Sequence, residues 1–299
     1  LIYTIDKDDD WKDFAVWKKA NPNFGISCLE DDLRSKYRDA MQLAHKQNIN
    51  KCKHLNIWSN AAISWINMVK LDECIDATIT PDKFKDCPCW VGLDLASRID
   101  LTAMMLVFRL PEENSFSQFT GGRYAIFGKF YLPSETVELS ENGHYRAWEA
   151  QGFLKSTPGH RIDLGYVMQD LQEIAKTYNV KELVYDPYEA TRFIEEAQNV
   201  VSFPCIEMLQ TPNFMSEPMK IFEEAYMSGN LLWDGNSFLR WQFSNVILKN
   251  AANKKYYPTK EKGNLKIDGP VATLMALSRA SLIENAASVY ETRGEFLWL

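Results

Sequence analysis

From Cys89 to Phe108 the chain reads CWVGLDLASRIDLTAMMLVF, two apolar runs divided by a short polar stretch. Alternation with a period of two predicts strands at about 89–96 and 101–110. In the first of these, Val91, Leu93 and Leu95 share one face, and Gly92, Asp94 and Ala96 share the other. A carboxylate set between the two smallest neighbours is a poor way to build a core, since burying it unpaired costs roughly several kcal/mol. Asp94 therefore needs a compensating partner: a basic side chain, a set of backbone amides or a metal ion. The small neighbours leave room for something bulky, such as a phosphate, to approach.

Upstream the pattern changes. Residues 1–85 carry helical periodicity with no strand signal: Trp11, Phe14 and Trp17 fall three apart before Asn21-Pro22, a second helix is expected from Leu29 to Gln47, and a third from Ser64 to Ile75. Downstream of Pro88, a third strand is expected at about 123–132, antiparallel by its short connections. Residues 133–162 read as a long polar excursion rather than core. A helix capped by Asp163 follows, then a strand ending at Asp186 before Pro187, a helix over about 188–198, and a fifth strand in VSFPCIEML. Ser216 to Met227 reads as a helix capped by Ser216, and a further helix carries Leu239, Phe243, Val246 and Ile247. A basic, hairpin-like segment, YYPTKEKGNLKID, leads into a last helix with Asp268 at its start and Pro270 in its first turn. The implied class is α/β: a mixed five-stranded sheet flanked by helices, with a small helical segment in front. The expected division is a helical linker over 1–85 and a catalytic domain over 86–299.

Composition narrows the class. Of the 299 residues, 46% are hydrophobic and 24% charged, typical of a folded globular chain. No apolar run approaches the roughly 18 residues of a membrane span, and the acidic start, LIYTIDKDDDW, does not read as a signal peptide. The first residue is Leu rather than Met, which suggests a fragment or a processed chain. Cys28, Cys52, Cys74, Cys87, Cys89 and Cys205 are scattered, and the four histidines form no ligand motif, so reduced thiols are expected rather than disulfides or zinc. The net charge of −7 argues mildly against a protein that coats nucleic acid. Locally the balance reverses: Lys249, Lys254, Lys255, Lys260, Lys262 and Lys266 face a single acid, Glu261. These lysines are the candidate contacts to a DNA backbone, and a plain solvated loop is the alternative.

Three carboxylates carry the chemistry: Asp94 in the first strand, Asp186 at the end of the fourth and Asp268 at the mouth of the last helix. Asp186 could be only a turn residue and Asp268 only a helix cap. The layout changes that reading, because it expects the first strand at the centre, the fourth beside it and the last helix over the sheet. Hard divalent cations take oxygen ligands, and three aspartates could hold two Mg²⁺ or Mn²⁺ ions about 4 Å apart for phosphodiester hydrolysis.

At these residues the chain resembles a known family. GLDLASRIDLTA, YRAWEAQGFLKSTPG, YDPYEA, LQTPNFMSEPMKIFEEAYMSG and LKIDGPVATLMA, spread over 89–285, are similar to the large terminase subunit of tailed double-stranded DNA bacteriophages, whose nuclease has a ribonuclease H-like fold. WKKANPNFG and HLNIWSN resemble the end of the family's motor half and its linker. No GxxxxGK[ST] loop occurs here, so the family's ATPase motor is absent from these residues and the resemblance is to the nuclease half. It implies a metal-dependent endonuclease that cuts concatemeric DNA, with Asp94, Asp186 and Asp268 as metal ligands and Asp100 as an auxiliary acid. Implied partners are double-stranded DNA, a small terminase subunit, a portal and further copies of the chain on the prohead, in the cytoplasm of an infected host. Some relatives carry a second acid beside the third aspartate, where this chain has Gly269. Two other readings are another ribonuclease H-like nuclease, such as a junction resolvase or hybrid nuclease, and a non-catalytic docking module. The helical N-terminal segment and the 133–162 stretch argue against the first.

Overall fold

A computed structural model describes residues 2–6, 8–42, 44–57, 65–95, 100–111, 123–139 and 143–282. The last residue of the first expected strand, Ala96, and the end of the expected linker motif, WSN, lie outside the described residues. The N-terminal part is helical: α1 (Phe14–Ala20), α2 (Glu30–Gln42), α3 (Ala44–Leu55) and α4 (Met68–Asp72). The helix expected over Leu29 to Gln47 is thus two helices, and the one expected over 64–75 is a single short turn. The Trp11–Phe14–Trp17 stripe packs as its period requires. Trp17 is fully buried with Ala20, Leu33, Ala40 and Leu55, its indole N–H donates to the Trp11 carbonyl at 2.7 Å, and Phe14 and Trp17 both meet Tyr37 edge-on.

The sheet begins with β1 (Pro88–Asp94), β2 (Thr102–Leu110) and β3 (Arg123–Pro133). Next come α5 (Ser134–Leu139), α6 (His144–Ala150) and β4 (Lys155–Thr157). The stretch 133–162 is therefore not a structureless excursion: β4 pairs in parallel with β3, and Leu154 and Thr157 are buried. Its many polar residues hid short amphipathic elements. The chain continues as α7 (Leu164–Thr177), β5 (Asn179–Tyr185), α8 (Thr191–Gln198), β6 (Cys205–Glu207), α9 (Pro212–Met227), β7 (Leu231–Trp233), α10 (Ser237–Ser244), β8 (Val246–Asn250), β9 (Tyr256–Lys260) and α11 (Asp268–Ala280).

The strand order is β4-β3-β2-β1-β5-β6, with β7 on the same edge of β3 as β4. The first three strands are antiparallel, while β5 and β6 run parallel to β1. This is the ribonuclease H-like arrangement, with β1 central as expected. Among the described residues the sheet has seven strands rather than five, because β4 and β7 are three residues each and too short to show a period.

Alternation along β1 divides two cores. Cys89, Val91 and Leu93 pack with Val167, Leu171 and Ile174 of α7 and with Phe193 and Ile194 of α8. Trp90 points into the other core, with residues of α9, α10 and α11. Gly92 lies on that second face directly beneath α11: a Cβ there would stand 1.9 Å from the Ala272 carbonyl oxygen. The space beside Asp94 at Gly92 therefore admits a helix backbone, not an incoming phosphate as its size suggested.

Two other sequence assignments change. Helix α9 starts at Pro212, so Ser216 is no cap; its hydroxyl accepts the Tyr256 N–H at 2.9 Å and faces the carbonyls of Pro212 and Tyr256, tying β9 to the helix. Val246 and Ile247 belong to β8 rather than to a helix, and β8 with β9 forms the basic hairpin. Among the described residues, no helix is long and apolar enough to cross a membrane.

Candidate metal and nucleic-acid site

Strand pairing brings the first two aspartates together. Asp94 is the last residue of β1, while Asp186 follows Tyr185, the β5 residue that pairs with Leu93. The two thus leave adjacent parallel strands at the same end, about 4.8 Å apart in strand spacing. The third arrives from the helix layer. Because α11 crosses β1 with Ala272 over Gly92, Asp268 stands one helical turn from that crossing. Gln242 of α10 fixes this end: its Oε1 accepts the Gly269 N–H at 2.8 Å. The Gly269 that stands in place of a second acid is itself buried, with Phe130, Leu239 and Gln242 crowding the space a Cβ would need.

The electrostatics record the crowding. Burial raises the Asp94 carboxyl well above the usual carboxylate range; Asp268, Asp186 and Asp100 push it further, against a hydrogen bond from Gln210 Nε2 to Asp94 Oδ1 at 2.9 Å. Burial, then the Asp100 charge, pushes Asp268 up to about 6, while its backbone hydrogen bond, Lys260 and Lys266 act in the opposite direction. Asp100 is the exception. Burial would raise it, but the Lys266 ammonium pairs with it directly and holds it below the usual range. Asp186 accepts the Tyr188 N–H at 2.8 Å in a local turn. Asp268, Asp186 and Asp100 are therefore all within electrostatic reach of Asp94. As the side chains stand, however, no three His, Cys, Asp or Glu residues among the described ones are gathered closely enough to hold one ion. Gln210 occupies Asp94 and Lys266 occupies Asp100.

The six lysines separate into two sets. Lys260 and Lys266 act on the acids, as above. Lys255 is tied to Asn213 Oδ1 at 2.6 Å, Lys249 lies over the Tyr257 ring, and Lys254 and Lys262 are exposed around the hairpin.

Three residues at this site escaped sequence reasoning. Gln242 is a single amide with no periodic or motif signal, and Gln210, though inside the family-like stretch LQTPNFMSEP, is not a residue type that marks a metal site. Tyr145 lies in the stretch read as an excursion, and its phenol is pushed up to about 12 by burial first and then by the charges of Asp100 and Asp268.

Comparison with known proteins gives the family. The family model described as terminase large subunit, endonuclease domain, matches residues 1–284. Protein YmfN of Escherichia coli (strain K12) is 32% identical over 294 residues, covering 95% of this chain and 63% of that protein. The terminase large subunit of Enterobacteria phage HK97 is 26% identical over 302 residues, 99% of this chain and 56% of the relative. The crystal structure of the HK97 bacteriophage large terminase superimposes with a TM-score of 0.63 at 23% identity, over 93% of this chain and 56% of that one, which establishes a shared fold. The chain spans 63% and 56% of the lengths of these two curated relatives. With the family match running almost end to end and the acids set at the ends of β1, β5 and α11, the chain belongs to the family of terminase large subunit endonuclease domains.

Proposed function

We propose that this chain is a divalent-metal-dependent endonuclease that cuts concatemeric double-stranded DNA during viral genome packaging. The observation that carries the reading is the convergence of Asp94 and Asp268, both raised by burial and by neighbouring carboxylates, with Asp186 on the adjacent strand. Carboxylates brought together at this cost need cations, and the donor set is entirely oxygen, which suits Mg²⁺ or Mn²⁺.

In this reading Asp94, Asp186 and Asp268 hold the ions, and Asp100 assists. Bound divalent ions would supply an activated water and charge stabilisation for the leaving 3′ oxygen. Gln210 fixes the orientation of Asp94, Gln242 fixes the helix end that carries Asp268, and Lys266 holds Asp100 in its ionised form. The hairpin lysines would track the DNA backbone. The same reading makes a small terminase subunit and a portal the partners, a homo-oligomer on the prohead the working assembly, and the host cytoplasm the place of action.

The test is cleavage of supercoiled plasmid with Mn²⁺ or Mg²⁺. Asp94→Asn and Asp186→Asn should abolish cutting while retaining the fold, and Mn²⁺ titrated without DNA should bind the parent and not Asp94→Asn. Cleavage at the parental rate by either variant, or a requirement for Zn²⁺ alone, would remove the assignment. One observation favours the docking-module reading: Gln210 and Lys266 already occupy two of the acids. That reading expects no Mn²⁺ uptake by the parent at all.

A further inference from the structure

A second charged cluster lies away from the aspartates. Asp170 of α7 is 6% exposed, and three groups converge on it. Lys129 Nζ donates to Oδ1 at 3.2 Å, Lys155 Nζ to Oδ2 at 2.9 Å, and the Tyr131 hydroxyl to Oδ2 at 2.8 Å. The carboxyl stays ionised: burial would raise it, but these partners hold it below its usual range. Beside the cluster opens a pocket of about 140 Å³ lined by Gly128, Lys129, Tyr131, Gly152, Phe153 and Lys155. Both lysine side chains reach solvent, at 42% and 43% exposure.

We infer that this pocket is a secondary binding site for a backbone phosphate of the DNA, outside the cutting centre. The inference rests on the endonuclease reading. Charge balance carries it: two ammonium groups share one carboxylate, leaving one net positive charge at the pocket. Each ammonium has three N–H donors and gives one to Asp170. Two on each lysine are left for an oxyanion, and Tyr131, already committed to Asp170, does not compete. The buried carboxylate acts as a template that sets the two ammonium groups side by side, a spacing that free surface lysines would not keep.

The pocket lies on the α7 face of the sheet, and Asp94 lies on the face that α11 covers. Lys155 pairs in register with Tyr131 of β3, which pairs with Thr102 at the start of β2, which adjoins the end of β1 that carries Asp94. The pocket and the acids therefore lie at the same end of the sheet but on opposite faces, so a duplex that meets both wraps around that end.

The experiment measures binding of a duplex by the full chain carrying Asp94→Asn, by fluorescence anisotropy across a salt series without divalent ions. Adding Lys129→Gln and Lys155→Gln should reduce the log–log salt slope by about 0.9, which near 0.1 M salt is about an eightfold loss of affinity. Unchanged slope and affinity would overturn the inference and reduce the cluster to an internal ion network. If that variant fails to fold, adding Asp170→Asn removes the unpaired buried charge and keeps the comparison. Inorganic phosphate titrated against the parent should shift the Lys129 and Lys155 ammonium signals. If it shifts them but the DNA slope is unchanged, the pocket binds free phosphate and the DNA inference falls. The functional reading is distinguished by the parent: if the unsubstituted chain neither binds duplex nor cuts plasmid, both readings fall, whereas a cutting parent with an inert pocket overturns only this one.

Discussion

The Ala272 carbonyl oxygen of α11 lies 1.9 Å from the position that a Cβ on Gly92 would take. This approach of helix backbone to the central strand sets how far Asp268 stands from Asp94. Gly92→Ala must push α11 off the sheet, because the obstacle is backbone and cannot rotate away. The variant should lose about 1–3 kcal/mol or more by overpacking, together with cleavage activity. Gly263→Ala, at an open position, should stay within about 0.5 kcal/mol of the parent. Paired urea melts check both; equal stability of the two variants would refute the packing argument.

Gln210 touches the central acid without being one. Gln210→Ala should leave duplex affinity near the parental value and lower the cleavage rate, because Asp94 loses the N–H that orients it. Turnover and binding are measured on the same preparation. A fall in affinity with unchanged turnover would assign Gln210 to DNA contact instead.

The hairpin lysines should separate by position. Lys254→Ala with Lys255→Ala should weaken duplex binding by a similar factor on unrelated sequences. The salt slope should fall by about 0.9 for each phosphate that a removed ammonium no longer neutralises. Mn²⁺ affinity measured without DNA should not move. Adding Lys260→Ala removes a charge that reaches Asp100 and Asp268, so Mn²⁺ should then bind more tightly. Identical salt slopes in all three proteins would make the segment a solvated surface.

The Asp170 cluster predicts an acid limb in stability. Its folded-state pKa is depressed, so its contribution is present above the unfolded carboxylate value and is lost as pH falls through the folded one. Melting temperature should therefore drop below about pH 4, and more steeply in the parent than in Asp170→Asn. Parallel curves would mean that the cluster is isoenergetic in the two states.

The division of the chain is also testable. A boundary near residue 85 is the expectation from sequence, but Trp65, Ile66, Leu71 and Cys74 are buried in the core that α9, α10 and α11 share with the sheet. Trp65 N–H also donates to the Val246 carbonyl at 3.2 Å, and the Trp233 indole donates to the Leu71 carbonyl at 3.1 Å. We propose a division between 57 and 65. A fragment beginning at 64 should be more stable than one beginning at 86 by at least the roughly 3–5 kcal/mol of a buried tryptophan. Equal melting temperatures would restore the later boundary.

How much of this was legible in the linear chain follows from the range of the forces involved. The alternation in CWVGLD and TAMMLVF determined two buried strands, because side-chain period is a local property of the backbone. The oddity of Asp94 was equally local, a charge where period demanded a small or apolar residue. The aspartate before Pro187 and the helix start at Asp268 were readable for the same reason. The tertiary structure decided what those signals could not carry. Three-residue strands β4 and β7 exist only because β3 offers them an edge. Val246 became strand rather than helix because β9 pairs with it. Gln210 and Gln242 matter only because chains distant in sequence place their amides against Asp94 and Gly269, across 116 and 27 residues. The use of Gly92, room for a helix rather than for a phosphate, depends on a crossing between β1 and α11. Contacts of that separation depend on which faces meet, and no short window of sequence contains both partners.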